Sequence, residues 1–237
     1  MNESFNIEIA GENALIIYFS DEMNDQVFTQ VQQATQLIRN QLSLLIVDLI
    51  PSYASILVQF DLLIIDHFEL QNALRNCLSV IQKTNNQKNN LINLPVYYSK
   101  KSGPDLERIA KHTQLSIEAI IECHHSQIYQ VYAIGFAPGF AYLGQVNSNI
   151  ATPRLASPRL KVPKGAVAIA DQQTAVYPNQ SPGGWNIIGL CPVDMFNPNP
   201  KTKQSPHMPI QVGDQVKFTP ITEQKFIDLG GVFDEQI

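Results

Sequence analysis

The sequence predicts an α+β protein of two domains, on three observations. Its first third alternates strand and helix signals in the order β-β-α-β-β-α. A polar run, Thr84 to Asn90, then passes without one apolar residue. From Ile128 onward, short β-branched runs are broken by Pro and Gly, the texture of a closed or sandwiched β structure.

Ile7 and Ile9 alternate with polar residues, Gly11-Glu12-Asn13 offers a turn, and Ala14 to Phe19 resumes as an apolar strand, so a hairpin is expected. Val27, Val31, Ala34, Ile38 and Leu42 recur at spacings of three and four, which puts them on one face of a helix. Leu44 to Ile50 and Ser55 to Phe60 read as two strands around Pro51-Ser52-Tyr53. A second helix spans Asp66 to Gln82, with Phe68, Leu70, Leu74, Leu78 and Ile81 as its apolar positions. With Leu94 to Tyr98 as a last strand, the unit becomes a split βαβ, ferredoxin-like sheet. The boundary is placed at residue 92, giving domains 1–92 and 93–237. Past it, Pro104 stands at the start of one short helix and Ser116 is the N-cap of another.

Composition excludes several function classes. The 237 residues are 44% hydrophobic and 16% charged, as in an ordered globular chain. A net charge of -5 without a basic run argues against nucleic acid as a partner. The start has no basic segment leading into an apolar one, and no apolar stretch reaches the roughly 18 residues that span a bilayer. A cytoplasmic protein without membrane contact follows. Cys77, Cys123 and Cys191 form no C-x-x-C pair and read as ordinary buried thiols.

Three segments carry candidate chemistry. Tyr132 to Gly144 (YAIGFAPGFAYLG) either lines a flat pocket, with Gly135 and Gly139 admitting a ligand between Phe136, Phe140 and Tyr142, or is a turn packed into the core. It lacks the Lys of a phosphate-binding P-loop, and no G-x-G-x-x-G is present. Thr152 to Gly165 sets Arg154, Arg159, Lys161 and Lys164 among prolines, suited to gripping a carboxylate or phosphate, or else a solvated basic loop. Ser181-Pro182-Gly183-Gly184-Trp185 offers a hydroxyl and backbone N–H groups for an oxyanion nest, or a turn anchoring Trp185. No G-x-S-x-G elbow supports Ser181 as a nucleophile. His124 and His125 point about 100° apart on a helix and do not make a metal pair, so no metal site is expected. Asp171 and Asp194 are candidate bases that more often serve as turn groups.

Together, GFAPGFAYLG, TPRLASPRLKVPKGAVAIADQQTAVYP and SPGGWNIIG resemble, in order and spacing, signature segments of the family that unites the 5-oxoprolinase B subunits (PxpB), the Kip-inhibitor (KipI) and allophanate hydrolase subunit 1. GENALIIYF and IPSYASILVQFD extend the resemblance to the N-terminus. The resemblance implies a cyclophilin-like β-barrel of carboxyltransferase C/D type for residues 93–237. It implies one component of a heteromeric, ATP-dependent amidohydrolase that opens 5-oxo-L-proline to L-glutamate, with a C-type (PxpC-like) and an A-type (PxpA-like) protein as partners. ATP would be co-substrate of the complex, no cofactor is evident in this chain, and the chain alone would be inactive. Alternative readings are an inhibitor of a sporulation-type histidine kinase and a component of allophanate or urea-amide metabolism. Position by position, the signature places Phe136, Pro138, Gly139, Phe140 and Tyr142 on one wall of a substrate site. Arg154, Arg159, Gln173, Ser181, Gly183, Gly184 and Trp185 stand around it, with catalytic roles unassigned. The chain departs from the pattern at Asp171 and Ala175, where a Cβ restricts positive φ, and at Ser99-Lys100-Lys101-Ser102.

Overall fold

The computed structural model describes residues 5–22, 24–81, 90–199 and 207–233. Most of the polar run Thr84 to Asn90 lies outside them. The chain divides into two compact units, Met1–Lys88 and Asn89–Ile237. Among the described residues, no helix is long and apolar enough to cross a membrane.

In the first unit, β1 (Asn6–Gly11) and β2 (Ala14–Tyr18) form the expected hairpin, followed by α1 (Asp25–Leu42), β3 (Ile46–Pro51), β4 (Ser55–Phe60) and α2 (His67–Leu78). The antiparallel sheet has the order β1-β2-β4-β3, so β4 lies between the two strands that flank α1. Local sequence starts both helices. Asn24 accepts from the Val27 N–H, and Asp66 and Glu69 form a reciprocal capping box. Val31, Ala34, Ile38, Leu70 and Leu74 close over Leu15, Ile17, Ile56 and Val58. Phe68 departs from expectation: it is 72% exposed. Two positions before Leu70, it sits about 200° round the helix from the buried stripe.

The second unit contains β5 (Leu91–Val96), α3 (Leu106–Thr113), α4 (Ile117–His125), β6 (Ile128–Ile134), β7 (Ala141–Gly144), β8 (Arg159–Val162) and β9 (Ala166–Ala170). After them come β10 (Gln173–Val176), β11 (Ser181–Gly183), β12 (Asn186–Leu190), β13 (Gln215–Pro220) and α5 (Glu223–Asp228). Seven strands form one sheet in the order β12-β9-β10-β7-β6-β13-β5. Its two edges meet where Tyr97 and Leu190 exchange N–H···O bonds of 2.9 and 3.0 Å, so the sheet curls into a nearly closed barrel. β8 and β11 pair separately. The segment expected to complete the first sheet, Leu94 to Tyr98, instead belongs here, since β5 runs parallel to β13.

β9 is buried on both faces, and its alternation separates two cores. Val167 and Ile169 face a cluster drawn from all seven strands together with Leu106, Ile109 and Ile120 of α3 and α4. Ala166, Ala168 and Ala170 face the aromatic cluster around Phe140 and Trp185. Cys77 and Cys191 are buried and Cys123 is half-buried; all three are free. His124 is fully buried between the Tyr98 hydroxyl, 2.8 Å from Nδ1, and Thr174 Oγ1, 2.9 Å from Nε2.

Candidate functional site

The turn between β6 and β7 occupies Gly135 to Phe140. It is closed by Gly135 N–H to Phe140 O at 3.1 Å and Phe140 N–H to Ala137 O at 3.0 Å. Two residues take positive φ, Phe136 at 70° and Gly139 at 84°. The reason at Gly139 is the protein's own packing: a Cβ there would overlap the Met195 carbonyl and lie 2.8 Å from Phe196 Cβ. Gly139 therefore has a structural reason for its residue type, whether or not a ligand meets the turn from its open side. Pro138 is exposed, and Phe136 is 66% exposed.

Phe140 is the hub of an edge-on aromatic cluster. Ring centroids of Phe136, Tyr142, Tyr177 and Trp185 lie 5.3, 4.9, 5.2 and 5.6 Å from its own. Such pairs contribute about 0.5–1.5 kcal/mol each beyond simple burial, which makes the wall stiff. Arg154 adds a cation, its Cζ 5.7 Å from the Trp185 ring. Of the predicted residues, the structure thus unites Phe136, Phe140, Tyr142, Arg154 and Trp185.

Arg159 enters from β8. Its Nη2 donates to Asp105 Oδ1 at 2.7 Å, while Asp105 Oδ2 accepts the Ile187 N–H at 2.7 Å. Nη1 of the same guanidinium is buried without a hydrogen-bond partner among the described residues. Gly183 pairs with Arg159 across the β8–β11 ladder. A Cβ at Gly183 would overlap the Tyr177 hydroxyl and lie 3.0 Å from ring atoms Cε1 and Cζ. Burial raises the Tyr177 phenol above its ordinary pKa, against the opposing pull of the Trp185 N–H and the Arg154 and Arg159 cations. Tyr177 therefore stays protonated and sits where both arginines are felt.

The remaining predicted residues are placed differently. Ser181, Pro182 and Gly183 form strand β11, and neither Gly183 nor Gly184 has positive φ, so the expected oxyanion nest is not formed. Gly184 O instead accepts the Leu155 N–H at 2.7 Å, tying down the loop that bears Arg154. Gln173 starts β10 opposite Gly144, at the far end of that strand from Tyr177. Lys164 is paired with Asp194 at 2.6 Å. Asp171 adopts φ 52°, so its Cβ does not prevent the turn; Asp tolerates this region better than most residues. Ala175 lies buried within β10.

Sequence reasoning missed Asp105, Tyr177, Asn186 and Arg108. Asn186 is fully buried, and its amide donates to Pro153 O at 3.1 Å and Ile169 O at 3.0 Å; its carbonyl accepts from Arg108. The peptide before Arg154 is thus held from below. Local pattern gave these residues no signal beyond strand or helix-start character. A cleft of about 590 Å³ opens elsewhere in the unit, lined by Pro163, Lys164, Cys191, Asp194, Phe226 and Phe233; of the sequence candidates Lys164 and Asp194 line it, and none of the twelve residues that the family signature places at the site does. The aromatic and arginine cluster has the stronger chemistry for an anion, because it sets Arg154 over the Trp185 ring and Arg159 opposite Gly183, which abuts the buried Tyr177.

Known proteins share this sequence and this fold. The chain is 36% identical over 236 residues to the B subunit of 5-oxoprolinase from Bacillus subtilis (strain 168), covering 95% of this chain and 97% of that protein. The crystal structure of TTHA0988 superposes with a TM-score of 0.75 at 27% identity, over 88% of this chain and 40% of that one. This chain therefore spans well under half of that longer protein. The Kluyveromyces lactis urea carboxylase shares the fold, with a TM-score of 0.76 at 18% identity, over 94% of this chain and 22% of that chain. The family model described as carboxyltransferase domain, subdomain C and D, matches residues 5–206, and the chain belongs to that family.

Proposed function

We propose that this chain is the B-type component of a cytoplasmic, heteromeric, ATP-dependent 5-oxoprolinase, working with C-type and A-type partners to convert 5-oxo-L-proline to L-glutamate. The near full-length similarity to a protein named as the B subunit of 5-oxoprolinase supports the reading. The observation that carries it into the structure is the placing of two cations along the Phe140–Trp185 wall, Arg154 over the Trp185 ring and Arg159 opposite Gly183, which abuts Tyr177. A small ring bearing one carboxylate suits such a place: the ring lies against aromatic edges, and the carboxylate meets a guanidinium. The two arginines are not equivalent. Arg159 is neutralised by Asp105, whereas Arg154 has no carboxylate partner among the described residues.

An unstrained lactam is a poor electrophile. ATP would supply a phosphoryl group to the lactam oxygen, making a leaving group that water later displaces. This chain's own residues bind and orient; the complete site needs the partner proteins, and the isolated chain turns nothing over. The first unit is read as ferredoxin-like, with β1 in the edge place expected of Leu94 to Tyr98, because β4 lies between β2 and β3. The second is read as a cyclophilin-like barrel, supported by its seven-stranded, nearly closed sheet.

The test is ATP-dependent glutamate formation from 5-oxo-L-proline by the cognate A-type and C-type proteins, with this chain present, omitted or carrying Arg159→Ala. Activity that requires the chain and falls with the variant is expected. A chain that copurifies with neither partner and leaves the reaction unchanged would sink the proposal and bring histidine-kinase binding forward.

A further inference from the structure

Asp105 stands at the N-cap position of α3, yet its side chain makes no capping hydrogen bond. An Asp that caps a helix contributes about 1 kcal/mol there, so diverting the carboxylate has a cost that something else must offset. Both oxygens are taken up elsewhere, Oδ1 by Arg159 Nη2 and Oδ2 by the Ile187 N–H, each at 2.7 Å. Its own N–H donates back to Ile187 O at 3.1 Å. Asp105 is 5% exposed and is held to β12 at two points, by Oδ2 on the Ile187 N–H and by its backbone N–H on Ile187 O, so its carboxylate cannot follow the guanidinium if that group moves. It is a fixed anchor.

What the anchor achieves is visible on the other side of the guanidinium. Arginine presents two terminal nitrogens in a planar fork, and a carboxylate commonly takes both. Here Asp105 takes one, because its second oxygen is held by the backbone. Nη1 is left as a buried donor without an acceptor among the described residues, a state that proteins generally avoid. Three residues further along α3, Arg108 grips the Asn186 side chain and donates to Pro153 O at 3.3 Å, next to Arg154.

We propose that Asp105 is a positioning residue of the anion site: it holds Arg159 by one nitrogen so that Nη1 is kept for an oxygen of a carboxylate or phosphate ligand. The inference rests on the reading of Arg159 as a ligand-binding residue. Nη1 is buried, so a ligand reaches it only when the residues packed around the guanidinium shift.

The experiment compares Asp105→Asn, Asp105→Glu and the surface control Glu107→Gln in the assembled complex of all three proteins. Asp105→Asn sets an amide N–H against Nη2 or gives up the Ile187 N–H; Asp105→Glu keeps the charge and displaces the guanidinium should the first variant fold poorly. Each folded Asp105 variant is expected to raise KM by about ten-fold or more with a smaller change in kcat. A rise in KM for 5-oxo-L-proline identifies the carboxylate as the ligand, and a rise for ATP identifies a phosphate. Glu107→Gln, which loses only an exposed pair with Lys100, should match wild type. Unchanged KM values for both substrates in either folded Asp105 variant, or a loss of kcat that merely tracks folded protein, overturns the proposal. Absence of wild-type turnover would defeat the oxoprolinase reading alone. Positioning is then read from Trp185 fluorescence titrated with inorganic phosphate: weaker binding by Asp105→Asn supports it, and equal affinity or no binding by wild type refutes it.

Discussion

Acidification should destabilise the second unit through one side chain, His124. Burial, aided by neighbouring His125, lowers its pKa from 6.5 to about 3. The hydrogen bonds explain how the neutral ring is held. Thr174 Oγ1 donates to Ala168 O, so it accepts from Nε2–H, and Nδ1 is left to accept from Tyr98. Between pH 6.5 and 3 the unfolded chain binds a proton that the fold excludes, so stability present above pH 6.5 is lost as pH falls. The limiting slope is about 1.4 kcal/mol per pH unit, and the integrated loss from pH 7 to pH 5 is about 2 kcal/mol. His124→Gln can keep a donor toward Thr174 and an acceptor toward Tyr98 without titrating. Urea unfolding followed by Trp185 fluorescence reports this unit, since Trp185 is the only tryptophan. The stability advantage of wild type over the variant should shrink by about 2 kcal/mol from pH 7 to pH 5. A gap that stays constant over that range would show that His124 is not the group that titrates.

Three further substitutions probe the site's framework. Gly183→Ala should destabilise by about 1–3 kcal/mol through overlap with Tyr177, and adding Tyr177→Phe should recover part of that loss; a double-mutant cycle by thermal unfolding checks it, and strict additivity would contradict the contact. Phe140→Ala removes the hub of four ring contacts from a nearly fully buried position and should cost about 3–5 kcal/mol in urea unfolding; a loss under about 1 kcal/mol would mean that the wall repacks. At Asp171, with φ 52°, replacement by Gly should be neutral or stabilising, whereas Val should lose about 1–2 kcal/mol; equal melting temperatures for the two would argue against the left-handed turn.

Local pattern made most of the elements legible. Ser55 to Phe60 is a strand with the expected bounds, and Ile128 to Ile134 and Asn186 to Leu190 are two of the short strands expected from Ile128 onward, because each is an apolar or β-branched run between turn residues. Ser116 caps α4 through the Ala119 N–H, as its type and place imply. What failed was partner choice. Leu94 to Tyr98 has strand character, but its partner β13 lies over a hundred residues later, and nothing within the segment names that neighbour. Ser181-Pro182-Gly183 reads as a turn, yet it pairs with β8 as a two-stranded ribbon, where a Pro without an N–H is tolerated.

The site divides in the same way. Aromatic residues and arginines advertise themselves by type, and the clustering of Phe136, Phe140, Tyr142, Arg154 and Trp185 was legible to that extent. Their supports were not. An Asp just before an apolar helix pattern has a sufficient local explanation as a cap, and that explanation conceals any other use of its oxygens. Asp105 and Arg159 are 54 residues apart, Asn186 and Pro153 are 33 apart, and each pair exists only because the barrel brings α3, β8 and β12 together. A fixed anchor must be held by something other than the group that it positions, and the Ile187 N–H does this for Asp105. Such residues are found by asking of every buried charge what else holds it, a question that requires the folded neighbours.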